Sequence, residues 1–242
     1  MEDTLHSAAL KSDRITKIYL PPGYSRSAKP FPLLFLFDGE DPDGLDFATW
    51  TIENLLADKK VPPLVVVRIV NPSGQARDHD LRCNDDFMTY LNGELVPAVR
   101  RVYNVTHNPS MTAIGGYSLG GLSAAYAGLT HSETFGLILS QSGSFGYEPT
   151  DTVDAEPSWL ARRFATVKKL PLRFFMDAGA YELDMSGRGG GILIPNRHLR
   201  DVLIARGYDV RYMEFLGAHE HINWREYLAD GLIALFEGQP AR

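Results

Sequence analysis

The amino-acid sequence predicts an α/β fold, a mostly parallel central sheet with helices on both faces. Three observations carry that prediction. The nearly continuous apolar runs 31–37 and 64–70 read as strands covered on both sides. Segments with helical spacing separate such runs, the pattern of βαβ units. At the centre, Ile114-Gly115-Gly116-Tyr117-Ser118-Leu119-Gly120-Gly121 joins a predicted strand to a predicted helix through Gly-x-Ser-x-Gly.

Residues 14–20 alternate polar and apolar side chains, so they read as a half-buried strand, ended by Pro21-Pro22-Gly23. The run 31–37 is a central strand broken by Asp38-Gly39-Glu40, and an amphipathic helix is predicted over 47–57. Pro62-Pro63 introduces the second buried strand, 64–70, and a polar loop is predicted over 71–82. Phe87, Leu91, Leu95 and Val99 recur at helical spacing, so 85–102 reads as helix. After the central motif come a strand over 135–140, a loop over 141–157 and a helix over 159–168. The strand 172–176 ends in Asp177-Ala178-Gly179. Gly187, Gly189, Gly190 and Gly191 make 181–191 an expected mobile segment. A helix over 195–205, a strand over 210–215 and a closing helix over 224–236 complete the alternation.

One domain over 1–242 is expected at this length, because α/β folds often run undivided. With 44% hydrophobic and 22% charged residues, the chain can bury a sizeable core. A net charge of -6 without a long Lys/Arg run argues against nucleic acid as the main partner. The single cysteine, Cys83, excludes an intrachain disulfide framework. No basic-then-apolar leader is visible, and no apolar run is long enough for a bilayer. A cytoplasmic protein without a membrane partner is therefore expected.

In sheets of this kind ligands sit beyond the carboxyl ends of the strands. Strand, Gly-x-Ser-x-Gly and helix together form the nucleophile elbow of the α/β-hydrolase fold. Side chains at Gly116 or Gly120 would press on the backbone that the sharp turn brings close. Ser118 is then held above the sheet at a helix N-terminus, which favours a developing oxyanion. A serine hydroxyl needs a positioned base, and in this fold the order along the chain is serine, acid, histidine. Of the seven histidines, only His198, His219 and His221 come late, and His198 falls in a predicted helix. His219 follows Gly217-Ala218 just after the last strand and is the expected base, with His221 its near rival. Asp177, Glu182 and Asp184 compete for the acid. Glu182, beyond the turn 178–181, has room to reach His219 and is preferred, its work being to fix the imidazole tautomer. The oxyanion hole needs two backbone N–H groups, one from Leu119 and one from Gly39 or Glu40. The Glu40 carboxylate must then point away. In His219-Glu220-His221 the i, i+2 spacing sends the imidazoles to opposite sides, so neither metal nor cofactor is expected.

Several stretches together resemble the catalytic domain of enterochelin (enterobactin) esterases, in the esterase D-like branch of α/β-hydrolases. They are Arg77-Asp78-His79-Asp80-Leu81-Arg82-Cys83-Asn84-Asp85-Asp86-Phe87, Glu94-Leu95-Val96-Pro97 and Gly116-Tyr117-Ser118-Leu119-Gly120-Gly121-Leu122-Ser123-Ala124. Further along stand Leu139-Ser140-Gln141-Ser142-Gly143-Ser144, Ala178-Gly179-Ala180-Tyr181-Glu182, Gly217-Ala218-His219-Glu220 and Trp224-Arg225. The resemblance implies Ser118 as nucleophile, His219 as base and Glu182 as acid, with ester bonds of a trilactone siderophore as substrate. Those enzymes usually carry an additional N-terminal domain, and none is expected here. Alternatives from the same resemblance are a general, acetyl- or feruloyl-type carboxylesterase, or a siderophore-binding relative without catalysis. A ferric catecholate is anionic and aromatic, so its site should offer cations and flat surfaces. Arg77, in the predicted loop, is the candidate cation, or else a structural arginine tied to Asp80 or the helix near Asn84. Tyr117 is the candidate aromatic and Arg188 a candidate in a glycine-rich lid. Tyr147 and Trp159 are weaker candidates, and Trp224 is expected to pack the closing helix.

Overall fold

The continuous apolar runs are buried between two helical layers, and that burial sets the architecture. The computed structural model describes residues 1–40, 46–149, 158–183 and 191–237. Its strands are β1 (Glu2–Ser7), β2 (Ser12–Tyr19), β3 (Leu33–Leu36), β4 (Val65–Ile69), β5 (Thr112–Tyr117), β6 (Leu137–Gln141), β7 (Arg173–Gly179) and β8 (Asp209–Phe215). Its helices are α1 (Phe47–Ala57), α2 (Gly74–Leu81), α3 (Asp85–Met88), α4 (Val96–Val102), α5 (Leu119–Thr130), α6 (Trp159–Thr166), α7 (Leu193–Ala205) and α8 (His221–Phe236). A π-helical turn, Thr89–Leu95, joins α3 to α4.

The strands form one eight-stranded sheet in the order β1-β2-β4-β3-β5-β6-β7-β8. The β1–β2 and β2–β4 pairs are antiparallel, and every other pair is parallel. Successive side chains of a strand face opposite ways, and β3 divides its residues accordingly. Leu34 and Leu36 join Ile52 and Leu55 of α1 and Leu228 and Leu232 of α8 in one core. Leu33 and Phe35 join Leu81, Leu91, Leu122, Phe164 and Leu199 in the other. Each such buried side chain contributes about 1.5–3 kcal/mol relative to exposure. A strand covered on both faces has no polar side to alternate with, so its sequence is a solid apolar run. Among the described residues no helix is long and apolar enough to cross a membrane.

Two elements depart from the expectations. Residues 71–82, expected as a loop, contain α2. Its sequence Gly-Gln-Ala-Arg-Asp-His-Asp-Leu has no apolar periodicity, so helical spacing could not reveal it. The helix is held by its ends and its ion pairs instead. The Ser73 hydroxyl accepts from Ala76 N at 3.1 Å, and buried Asp80 receives Arg14 Nη1 at 2.6 Å. The edge strand β1 is the other departure. Its exposed face leaves Glu-Asp-Thr-Leu-His-Ser without an apolar alternation, and its pairing with β2 orders it.

Candidate active site

The parallel strands β3, β5 and β6 lie side by side, and each is followed by a left-handed residue that turns the chain out of the sheet. These are Asp38 (φ 56°), Ser118 (φ 56°) and Ser142 (φ 47°). Such backbone costs of order 1–3 kcal/mol per residue and persists where surrounding contacts over-determine it. At Ser118 the contacts are explicit. Its N–H donates to Gln141 O at 2.9 Å, and its carbonyl accepts from Leu122 N at 3.1 Å and Ser144 N at 3.0 Å. A Cβ on Gly116 would lie 3.0 Å from Gly120 Cα and 3.1 Å from Phe37 Cβ, and one on Gly120 3.1 Å from Asp38 Oδ2. A side chain at either glycine would crowd the turn that carries the serine.

Of the expected oxyanion donors, Gly39 is corrected. Its N–H donates to Ile69 O at 2.8 Å, because the chain keeps pairing with β4 for a residue past the turn. The N–H groups of Leu119 and Glu40 make no hydrogen bond among the described residues. The Glu40 carboxylate is held by Asn71, whose backbone N donates to Oε1 and whose Nδ2 lies 3.1 Å from Oε2.

Glu182 and His219 meet across two stitched loops. Ala180 N donates to Phe215 O at 2.8 Å and Tyr181 N to Gly217 O at 3.1 Å, so the turn after β7 rests on the loop after β8. The Glu182 side chain is fully buried. Its Oε2 accepts from Gly179 N at 3.0 Å, and its Oε1 lies 3.0 Å from His219 Nδ1. His219 is 15% exposed at its side chain, and its ring meets the Trp224 indole edge-on, with centroids 4.7 Å apart. The same indole stacks on Tyr117 at 4.1 Å and 8°. One ring therefore separates His219 from the residue preceding Ser118. The serine hydroxyl itself is hydrogen-bonded with Ser144 Oγ at 3.2 Å, and no hydrogen bond joins it to His219. The rival His221 begins α8 exposed and packs edge-on against Tyr117 and Trp224.

Asp177 has a different surrounding. β7 continues to Gly179, which puts this carboxyl inside the sheet, completely buried. Ser142 N and Gln141 Nε2 donate to it at 3.0 and 3.3 Å. Burial outweighs those donors and raises its pKa to about 8. Both of its oxygens face donors at the end of β6, and neither is hydrogen-bonded to an imidazole. The carboxyl anchors Trp224 instead, since Gln141 Nε2 also donates to Trp224 O at 2.7 Å and Trp224 Nε1 donates to Ser142 Oγ at 3.0 Å. Asp184, the third carboxyl considered, lies outside the described residues, as does Arg188.

Arg77 is corrected in place and partner. It sits on α2 rather than in a loop, and its fork closes on Asp38, with Nη2 2.8 Å from Oδ2 and Nε on Oδ1. Its guanidinium also lies 5.5 Å from the Tyr117 ring centre. Tyr117 is thus packed against Trp224, Arg77 and His221, and burial with nearby Asp38 pushes its hydroxyl pKa up. Beside it opens a cavity lined mainly by Phe37, Phe47, Tyr117, Trp224 and Leu228, with Glu40 and Arg225 among its polar members. Trp224, expected only to pack the closing helix, is buried and also forms this wall. Asp38, Asn71 and Ser144 carry parts of the site that sequence reasoning did not assign. Their partners lie 26–39 residues away along the chain, and no local pattern marks such pairs.

A family model described as a putative esterase matches residues 7–235. The chain belongs to that esterase family. An iron(III) enterobactin esterase from Escherichia coli (strain K12) is 32% identical over 233 residues, which cover 94% of this chain and 56% of that protein. The enterobactin esterase of Shigella flexneri, solved in the presence of enterobactin, superposes with a TM-score of 0.85 at 29% identity, covering 98% of this chain and 58% of that one. A ferulic acid esterase from Anaeromyces mucronatus, solved with ferulic acid, has a TM-score of 0.75 at 18% identity over 96% and 89% of the two chains. That last likeness is one of fold. The chain spans about half the length of the enterobactin esterases it matches.

Proposed function

We propose that this esterase-family chain is a serine esterase whose catalytic residues are Ser118, His219 and Glu182. The observation that carries the reading is the bond between His219 Nδ1 and buried Glu182 Oε1 at 3.0 Å, on loops beside the strained elbow of Ser118. Glu182 holds the proton on Nδ1, which leaves Nε2 as the base. Ser118 Oγ bonds to the ester carbonyl carbon while its proton passes to Nε2. The tetrahedral oxyanion accepts from the N–H groups of Leu119 and Glu40. Collapse breaks the bond to the alkoxide, which takes the proton back from His219. Water, deprotonated by His219, then splits the acyl-enzyme, and Ser118 regains its proton.

For the substrate we propose an ester with an aromatic arm that enters the cavity beside Tyr117, a catecholate-bearing siderophore trilactone. The enterobactin esterase relatives support this choice. A second reading, a neutral aromatic ester of feruloyl type, is favoured by two observations. Arg77 is already closed on Asp38, and the cavity's Arg68 and Arg225 are matched by the carboxylates of Asp38 and Glu40, so an anionic chelate finds no excess of positive charge there. The test is to incubate the chain with ferric enterobactin and, separately, methyl ferulate, and to follow products by mass spectrometry. Linear fragments of the trilactone support the first reading. Release of ferulate alone selects the second, and no hydrolysis of either contradicts both.

A further inference from the structure

Ser144 lies in the loop after β6, and its hydroxyl is the one hydrogen-bond partner of Ser118 Oγ among the described residues, at 3.2 Å. A second link ties the same two residues, Ser144 N donating to Ser118 O at 3.0 Å. The loop around Ser144 is fixed on every side. Gly143 O accepts from the fully buried Asn196 Nδ2 at 2.7 Å, and a Cβ on Gly143 would fall 2.5 Å from Ser140 Oγ. Phe145 is buried, and Ser142 N is held by the carboxyl of Asp177. The backbone is thus held on both sides of the pair, and the contact between the two hydroxyls can be broken by a side-chain rotation of Ser118 alone.

We infer that Ser144 is a positioning residue that holds the Ser118 hydroxyl away from His219 in the free enzyme, so that acylation starts by exchanging one hydrogen bond for another. The inference rests on Ser118 being the nucleophile. A hydroxyl has one proton to give. While Ser118 donates to Ser144 it does not donate to His219, and while it accepts from Ser144 a lone pair is occupied. The donor orientation is the one that competes with attack, because as an acceptor Ser118 keeps its proton and a second lone pair. A neutral hydrogen bond of this kind carries a modest net free energy, equivalent to about a 2- to 10-fold change in rate. Once the acyl group is on Oγ there is no serine proton to compete for, so deacylation is untouched.

The experiment compares wild type, Ser144→Ala and Ser144→Thr in two measurements. These are the second-order rate of fluorophosphonate labelling and the hydrolysis rate of an acyl-enzyme preformed with p-nitrophenyl acetate. The expected result is labelling about 2- to 10-fold faster in Ser144→Ala, with deacylation unchanged, and wild-type labelling in Ser144→Thr, which keeps the hydroxyl. Labelling no faster in Ser144→Ala overturns the inference. So do equal accelerations in both variants, which would make bulk rather than the hydroxyl decisive, and parallel shifts of acylation and deacylation. A wild type that takes no label at all removes the serine-esterase reading, and this inference with it.

Discussion

The two oxygens of Glu182 have different partners, and the role proposed for it follows from that asymmetry. Oε2 accepts from Gly179 N and Oε1 faces His219 Nδ1. A glutamine there has one acceptor and one donor. If its oxygen keeps Gly179, its amide nitrogen meets His219 and forces Nδ1 to accept, which moves the ring proton to Nε2. The base is then lost. Glu182→Gln should lower kcat by about 10³–10⁴-fold with the fold intact, measured on p-nitrophenyl acetate beside a thermal unfolding curve. A loss under tenfold would remove Glu182 from the role. At this scale the sequence was informative where a residue is marked by its neighbours. Ser118 stands between Gly116 and Gly120, and His219 follows a glycine at a strand end. It singled out Arg77 without its partner Asp38 and was silent on Ser144, because those partners lie 39 and 26 residues distant.

Among the elements, α2 shows how a segment can be ordered mainly by polar contacts, with Leu81 its one buried apolar side chain. Its Arg77 reaches Asp38 at the end of β3, whose side chain is 2% exposed. The ion pair fastens α2 beside the elbow. Breaking it from one side leaves a buried charge unpaired, whereas removing both charges does not. Arg77→Met should therefore cost about 3–5 kcal/mol in urea unfolding, and the Asp38→Asn/Arg77→Met double variant distinctly less. Asparagine tolerates the left-handed backbone that position 38 requires. Equal losses in the single and double variants would contradict the pairing. The strands with solid apolar runs were legible because burial on both faces demands them. The polar edge strand β1 and α2 were not, because neither presents an apolar stripe to read.

Across the whole molecule, the alternation of strands and helices suffices to predict a parallel sheet, and the topology then gathers distant residues at one end. Ser118, Glu182 and His219 follow β5, β7 and β8, strands of a parallel run whose carboxyl ends share an edge. That gathering explains why a motif at the centre and a histidine near the end of the chain can be proposed for one site. The substrate is less legible, because it depends on how charges pair around the cavity rather than on which residues are present. The central claim is that the hydroxyl of residue 118 is the group that is acylated. Its most direct measurement is mass spectrometry of the protein after fluorophosphonate treatment. The account predicts one adduct in wild type, on the peptide carrying Ser118, and none in Ser118→Ala. An adduct on another residue, or one that persists in Ser118→Ala, would contradict it.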